Sequence, residues 1–221
     1  MSAASFRAQR FSAPTIDTDV NYWPAIIDML TSLLMFFMLV GFLQQHVNPA
    51  SLNAKIAHQK QQRFADAFRG EFARELERQD IALVADINLM QITFGEEILF
   101  GSREYKLRPR GEAVLQRLAG VIRKLDRSSL STVYDQIQIE GHTDDRRLKE
   151  REFPHDNWEL SVARALEVLR YLTERTATPL RAETMSANGY ADTRPVGRSR
   201  AKNRRIEIRV YFSGHASERR R

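Results

Sequence analysis

The sequence predicts an α+β protein, with a single N-terminal transmembrane helix followed by a domain of element order β–α–β–α–β–β. Two observations support this fold class. Residues 23–43 form a predominantly apolar run, WPAIIDMLTSLLMFFMLVGFL. From Ile81 onward, short segments in which apolar residues alternate are separated by segments with helical periodicity. We expect the helices of this domain to cover one face of a small mixed sheet.

The apolar run has the length of a membrane span. At about 1.5 Å per residue it makes a helix roughly 30 Å long, which matches the hydrocarbon core of a bilayer. No Lys, Arg or Glu interrupts it, and Tyr22 and Trp23 lie at one end, where amphipathic rings favour the headgroup layer. A cleaved signal peptide has a shorter apolar region and a small-residue cleavage site. We therefore expect residues 22–46 to be an uncleaved transmembrane helix and residues 1–21 a flexible tail.

Asp28 is an acidic residue inside this span, and a carboxylate there costs about 2.5–3.5 kcal/mol on insertion scales. Thr31 and Ser32 follow at i+3 and i+4, so both hydroxyls share a helix face with Asp28. One interpretation is a neutral Asp that is hydrogen-bonded to a neighbouring helix or reaches the near surface. The other is an ion-carrying carboxylate, supported by Thr31 and Ser32, whose occupancy switches a contact. The second requires other membrane helices around Asp28.

Composition limits the function classes. The chain has 221 residues, which leaves room for one domain of about 100–150 residues after the span. The absence of cysteine excludes disulfides, thiolate catalysis and Cys-ligated metal sites. A net charge of +6 and a pI near 9.8 favour anionic surroundings, which include phospholipid, cell-wall polymer and nucleic acid. The basic residues on the two sides of the span are balanced and do not set its orientation.

Residues 47–80 are predicted to form a helical linker. Phe64, Phe68, Phe72 and Leu76 recur every four residues and give the helix an apolar face. This face packs either on the following domain or on a second copy of the chain. Acidic residues between the basic ones argue against a nucleic-acid-binding helix.

The domain itself is predicted over residues 81–213, followed by a basic tail at 214–221. One or two strands are expected within 81–94, and further strands at 133–140, 185–190 and 205–212, where apolar residues alternate. Two helices are expected where apolar residues recur at helical spacing, one from Pro109 until Ser128-Ser129 breaks it and one at 158–174.

Four segments of this domain carry a family pattern. In chain order they are Ile139-Glu140-Gly141-His142-Thr143-Asp144, Asn157-Trp158-Glu159-Leu160-Ser161 with Arg164-Ala165, Gly189-Tyr190-Ala191-Asp192 with Pro195, and Asn203-Arg204-Arg205-Ile206-Glu207-Ile208. Together they resemble an OmpA-like peptidoglycan-binding domain and, more narrowly, that of MotB-type stator subunits. An early Asp in an N-terminal span matches the same family, so the resemblance covers nearly the whole chain.

The resemblance implies that Asp144 and Arg164 bind a ligand and that Thr143, Asn157 and Leu160 line the same pocket. Peptidoglycan stem peptides commonly present a diamino acid with an ammonium and a carboxylate at one centre. Such a ligand needs one anion and one cation in the site, and Arg holds a carboxylate with two hydrogen bonds. From the residues without the resemblance, an ordinary salt bridge between Asp144 and Arg164 is the alternative.

Asn203 and Arg204 complete the predicted peptidoglycan-binding set. For Arg204 and Arg205, two roles remain open, namely binding of the ligand and fixing of the last strand.

His142 is predicted to be a structural histidine, because no second His or carboxylate is found at ligand spacing on the same element. Asp145, His155 and Asp156 lie nearby in the sequence. No paired acids, Ser-His arrangement or metal cluster is placed for cleavage of the wall. We therefore expect binding without turnover, with neither a cofactor nor a metal ion.

The family resemblance also implies partners and a location. They are a multi-span A-type (MotA- or ZorA-like) subunit that forms a ring, a second copy of this chain, peptidoglycan and the inner membrane, with no direct contact to nucleic acid. The N-terminus is expected in the cytoplasm and the domain in the periplasm. The translocated ion is expected to be H⁺, and the hydroxyls of Thr31 and Ser32 keep Na⁺ open.

Two departures from the flagellar pattern favour a different branch of the family. The segment between the span and the domain is short, about residues 44–80, and no aromatic residue directly follows Asp28. Both features argue against flagellar service, and the chain more closely resembles the stator-like ZorB subunits of Zorya anti-phage systems, which have the same two-part plan. The alternatives are a flagellar MotB subunit, an ion-driven accessory stator with another output, and a passive OmpA-like envelope anchor without ion flow.

Overall fold

A computed structural model of the chain describes residues 21–46, 49–128, 133–148 and 152–213. The chain divides into two compact units, Met1–Asn48 and Pro49–Arg221. The predicted tails at 1–21 and 214–221 lie outside the described residues, apart from Asn21.

The first unit contains helix α1, Trp23–His46, which includes the predicted span. Within it, Trp23–Gln44 has a mean hydropathy of 2.3, and none of its apolar window is buried against protein. Among the described helices it is the one that is long and apolar enough to cross a membrane. It therefore fits a single membrane span, as the sequence predicts.

The second unit is an α+β domain, as predicted. Its helices are α2 (Pro49–Glu71), α3 (Ala73–Glu77), α4 (Glu96–Leu99), α5 (Pro109–Ser128), α6 (Asn157–Arg170) and α7 (Arg200–Asn203). Its strands are β1 (Ile81–Asp86), β2 (Leu89–Gly95), β3 (Gln136–His142), β4 (Met185–Gly189) and β5 (Arg205–Tyr211). A π-helical turn, Tyr171–Arg175, continues α6, and a short 3₁₀ turn, Ala182–Thr184, precedes β4.

The five strands form one mixed sheet in the order β1-β2-β5-β3-β4. The β3–β4 pair is parallel and the other pairs are antiparallel. Alternate residues of the central strands, such as Ile92 of β2 and Ile208 of β5, are fully buried in the hydrophobic core on the side of the helices. From β2 onward the larger elements follow the predicted order β–α–β–α–β–β.

Helix α2 packs on the domain, which is the first of the two alternatives that the sequence left open. Phe64, Phe68 and Phe72 are at most 1% exposed, and the Phe68 and Phe72 rings stack with centroids 4.5 Å apart. The side chain of Gln61 donates hydrogen bonds to the carbonyls of Asp86 and Leu89, on both sides of the β1–β2 turn. The predicted boundary at residue 81 therefore lies inside this compact unit, which starts at Pro49.

Strand β3 extends two residues beyond the predicted end at Glu140. The strand is longer because Gly141 and His142 pair with Ile206 and Arg205 of the neighbouring strand β5. This extension carries the chain directly to Thr143, where the predicted site begins.

Candidate ligand-binding site

Helix α6 approaches the ends of β3 and β4 unusually closely, and two glycines allow it. Gly141 and Gly189 are register partners on the two parallel strands. A Cβ atom on Gly141 would lie 2.1 Å from the carbonyl oxygen of Ser161, and one on Gly189 would lie 2.5 Å from the backbone nitrogen of Val162. The hydroxyl of Ser161 also accepts a hydrogen bond from the backbone of Ala191, 3.1 Å away. These contacts fix α6 over the strand ends.

The loop after β3 is held in place by hydrogen bonds from both sides. The Thr143 backbone N–H donates to the Ala191 carbonyl at 2.8 Å, and Asp144 Oδ1 accepts from the Arg146 N–H at 3.0 Å. Asn157, in the first turn of α6, donates to the carbonyls of Asp144 and Arg146 and accepts from the Leu148 N–H. The Asn157 side chain therefore positions the backbone that carries Asp144.

Two arginines and two carboxylates, Arg164, Glu96, Arg204 and Asp144, form a continuous ion cluster. Arg164 Nη2 lies 2.6 Å from Glu96 Oε1, and Arg204 Nε lies 2.6 Å from Glu96 Oε2. Arg204 Nη1 then donates to Asp144 Oδ2 at 2.8 Å. The cluster joins residues from α4, α6, the loop after β3 and the position directly before β5, and its formal charges cancel.

The cluster is mostly removed from water. Arg164 is 2% exposed, and Glu96 and Asp144 are each 6% exposed. Burial lowers the pKa of Arg164 from its ordinary value, and the Glu96 carboxylate opposes this shift. The hydrogen bond to Asp144 raises the pKa of the more exposed Arg204. Because charges buried at this depth need partners, each arginine depends on a carboxylate of the cluster.

A cavity of about 170 Å³ opens over the ion cluster. It is lined by Glu96, Ser102, Arg103, Thr143, Asp144, Arg146, Arg147, Leu148, Asn157, Leu160, Arg164 and Arg204. The hydroxyl oxygen of Thr143 is buried beside it and has no hydrogen-bond partner among the described residues. Arg164 donates hydrogen bonds through Nε and Nη2, and its Nη1 has no hydrogen-bond acceptor among the described residues, so Nη1 can donate to a ligand. The cavity can thus offer both an anion and a cation to one small ligand.

The structure brings most of the predicted site together. Thr143, Asp144, Asn157, Leu160, Arg164 and Arg204 all line the cavity. The alternative interpretation was a direct salt bridge between Asp144 and Arg164. This salt bridge is not formed, because Asp144 pairs with Arg204 and Arg164 pairs with Glu96.

Asn203 and Arg205 do not line this cavity. Their hydrogen bonds stabilise the backbone next to it. Asn203 accepts from the Val196 N–H and donates to the Gly197 carbonyl, both at 3.0 Å. Arg205 is 5% exposed and bonds to Glu207 and to the Arg194 carbonyl. Of the two open roles, Arg205 therefore fixes the last strand and its preceding loop, while Arg204 faces the cavity.

Glu96 belongs to the site but was not predicted from the sequence. It lies outside the four family segments and two residues before the apolar run Ile98, Leu99 and Phe100. An acid next to a short buried apolar run is a weak signal for a buried partner. Its importance follows from tertiary structure, since α4 places it between two arginines that lie 60 or more residues away in sequence.

The prediction for His142 requires a correction. Glu140 lies two residues before it on β3, so the two side chains share a sheet face and a carboxylate does stand at ligand spacing. The ring is 1% exposed and stacks on Tyr190, but neither ring nitrogen has a hydrogen-bond partner among the described residues. His142 is therefore buried without being satisfied.

In the first unit, Asp28, Thr31 and Ser32 lie on one face of α1, as their spacing predicts. The Thr31 hydroxyl donates to the carbonyls of Ile27 and Asp28, both at 2.9 Å. This hydroxyl is therefore bonded to the helix backbone.

Comparisons with known proteins agree with this architecture. The model of the OmpA family matches residues 99–209, which is half of the chain. The uncharacterized protein YtxE of Bacillus subtilis (strain 168) is 37% identical over 123 residues, covering 53% of this chain and 46% of YtxE. The chain thus aligns with less than half of that relative.

Solved structures show the same fold. The cell wall anchor of the T6SS from Pseudomonas aeruginosa is 29% identical, with a TM-score of 0.53 over 66% of this chain and 96% of that one. A MotB-like protein from Desulfovibrio vulgaris is 24% identical, with a TM-score of 0.58 over 72% of this chain and 97% of that one.

Proposed function

Because the chain belongs to the OmpA family, we propose that its domain binds peptidoglycan at the cavity over the ion cluster and anchors the protein to the cell wall. The ligand is the diamino acid of the stem peptide. Its ammonium group pairs with Asp144, and its carboxylate accepts from Arg164. The domain binds the wall without cleaving it.

The observation that carries this proposal is the arrangement of Asp144 and Arg164 in one cavity. The two charges that a zwitterionic centre needs are both present there, and both are about nine-tenths or more buried. Among the described residues Arg164 uses Nε and Nη2 but not Nη1, so Nη1 can donate to a ligand carboxylate while Arg164 keeps its pairing with Glu96. Similarity to the cell wall anchor of the T6SS supports the same role.

Sedimentation with purified sacculi tests the proposal. The full chain in detergent should co-sediment with sacculi, and meso-diaminopimelate should release it, whereas 1,5-diaminopentane, which lacks both carboxylates, should not. Asp144→Asn and Arg164→Lys should lose binding. The control Asp66→Asn, at an exposed position, should bind like the wild type. Equal binding by Asp144→Asn, or release of soluble wall fragments, would contradict the proposal.

We further propose that the protein is the B-type subunit of an ion-driven stator. Helix α1 spans the inner membrane with its N-terminus in the cytoplasm and the domain in the periplasm. Two copies lie within a ring of multi-span A-type subunits, and ions, most simply protons, pass at Asp28. An elementary charge that crosses 100 mV releases about 2.3 kcal/mol, so a few ions can drive a mechanical step. The position of Asp28 in an otherwise apolar span supports this proposal.

A passive wall anchor is the second candidate, and the similarity to the T6SS cell wall anchor favours it. Substitution of Asp28 separates the two. A stator with Asp28→Asn should still assemble and bind sacculi but lose its biological output, while the exposed control Asp66→Asn should retain it. If Asp28→Asn keeps full output and Asp144→Asn abolishes it, the protein is a passive anchor.

For the biological output, we propose Zorya-type anti-phage defence. The short segment after the span and the residues around Asp28 support this output over motility. Adjacent genes for an A-type subunit and for a helicase or nuclease are expected. Neighbouring flagellar genes would instead indicate a flagellar MotB subunit.

A further inference from the structure

A second cluster of buried ionisable groups lies on the sheet, apart from the cavity over the ion cluster. Glu140 and His142 of β3 and Glu207 of β5 point to one face, and Glu140 is the register partner of Glu207. These three side chains are at most 2% exposed. Each offers one ligand atom, and the three atoms lie within 4.8 Å of one another.

Several of these atoms lack hydrogen-bond partners. Among the described residues, neither His142 Nδ1 nor Nε2 has one, and neither does Glu140 Oε2. A buried polar atom without a partner costs free energy and needs a physical explanation, of which a bound water or ion is one. His142 Nε2 and Glu140 Oε2 are 3.7 Å apart. Ligand atoms of a tetrahedral metal ion, at bond lengths of about 2.0–2.2 Å, lie about 3.4 Å apart.

We propose that Glu140, His142 and Glu207 bind a divalent transition-metal ion, with Zn²⁺ as the best match to one imidazole and two carboxylates. Three protein ligands leave a fourth position for water. The site would join the neighbouring strands β3 and β5, and its ligand His142 lies two residues before Asp144.

Two arginines contact the same carboxylates. Arg205 Nε lies 2.6 Å from Glu207 Oε1, and Arg209 Nη2 lies 3.0 Å from Glu207 Oε2 and 3.3 Å from Glu140 Oε2. Arg209 thus supplies the positive charge that a metal ion would replace. Its side chain is 26% exposed, so it can turn toward solvent when the metal binds, while Arg205 keeps the other oxygen of Glu207.

A route to the site exists from solvent. A cavity of about 580 Å³ on the same unit is lined by Glu207 and Arg205, together with residues of β1 and β2. A metal ion can therefore reach Glu207 from this cavity. His142 and Glu140 lie on the adjacent strand β3.

Titration of the full chain in detergent with Zn²⁺, after treatment with a chelator, tests this proposal. The wild type should bind one equivalent at this site, and His142→Gln and Glu207→Gln should weaken binding by about tenfold or more. Arg209→Leu should strengthen binding, because it removes the competing cation. His155→Ala, which removes an exposed histidine paired with Glu159, is the matched control and should leave this affinity unchanged.

X-ray absorption at the zinc edge on the His155→Ala protein reports the metal ligands directly. This measurement does not depend on variants of the buried residues, which could be unstable. One imidazole and oxygen donors in the first shell are expected. Absence of tight binding, equal affinity in the wild type and His142→Gln, or weaker binding by Arg209→Leu would show that the cluster is an internal salt-bridge network.

Discussion

Glu96 contacts two arginines at once, with Arg164 Nη2 at 2.6 Å from one carboxylate oxygen and Arg204 Nε at 2.6 Å from the other. Its helix, α4, is four residues long and has no side-chain cap. The position of Glu96 is therefore set by these ion pairs and by its buried neighbours. Through Glu96, the two arginines that face the cavity are coupled, so a change at either one affects the other.

The first prediction concerns Glu96→Gln, which keeps the shape of the side chain and removes its charge. Arg164 would then remain buried without a counter-charge, and breaking a buried pair in this way costs about 3–5 kcal/mol. We expect a lower denaturation midpoint and weaker binding to sacculi.

The neighbouring residue Glu97 provides the control for this variant, because it is exposed and forms no ion pair among the described residues. Glu97→Gln should change neither stability nor binding. If Glu96→Gln binds sacculi as the wild type does, the arginines do not need Glu96, and their proposed coupling is wrong.

The second prediction concerns the close contact between α6 and the strand ends. In Gly141→Ala the new methyl group would meet the Ser161 carbonyl oxygen at 2.1 Å, and both partners are backbone that cannot rotate away. Such overpacking costs about 1–3 kcal/mol. Gly120→Ala in α5 meets nothing within 4 Å and should stabilise the protein by about 0.5–1 kcal/mol. Chemical denaturation of both variants should give shifts of opposite sign.

The third prediction concerns the membership of α2 in the domain. Phe68 is fully buried between Phe64 and Phe72, and Phe68→Ala should cost about 3–5 kcal/mol. Leu52, on the same helix, is 57% exposed, and Leu52→Ala should cost little. A chain that begins at residue 81 should therefore unfold at a lower denaturant concentration than one that begins at Pro49. Equal midpoints for these two chains would mean that α2 is a linker after all.

Sequence periodicity predicted the elements of the domain well, because strands and helices show their spacing locally. The recurrence of Phe64, Phe68 and Phe72 correctly predicted an apolar face, yet it could not choose between the domain and a second copy as its partner. That choice depends on the β1–β2 turn, whose carbonyls bind Gln61, and this contact is not encoded in any local pattern.

The candidate site was predictable where residues lie within family segments, as for Asp144 and Arg164. It was not predictable where tertiary packing supplies a partner. Glu96 lies on α4, a helix of four residues that is too short to show helical periodicity in the sequence. The pairing of Arg204 with Asp144 follows from the register of β3 and β5. The same register brings Glu207 to Glu140, which spacing along a single strand could not reveal.

The last prediction concerns acid stability and the contact between α3 and α5. Arg117 hydrogen-bonds both Glu75 and Glu71, and the bond from Arg117 lowers the pKa of Glu75 below its ordinary value of 4.5. A carboxyl group with a lowered folded-state pKa stabilises the protein above its unfolded-state pKa, and this contribution is lost as the pH falls through the folded value.

Glu75→Gln should therefore be less stable than the wild type near neutral pH, by about 1 kcal/mol for such a partly exposed pair. The difference should shrink toward zero well below pH 4.5, where the wild-type carboxyl is protonated too. Glu77→Gln, at an exposed position on the same helix, should follow the wild-type curve at every pH. A difference between Glu75→Gln and the wild type that persists unchanged into strong acid would show that Glu75 acts through packing rather than through its charge.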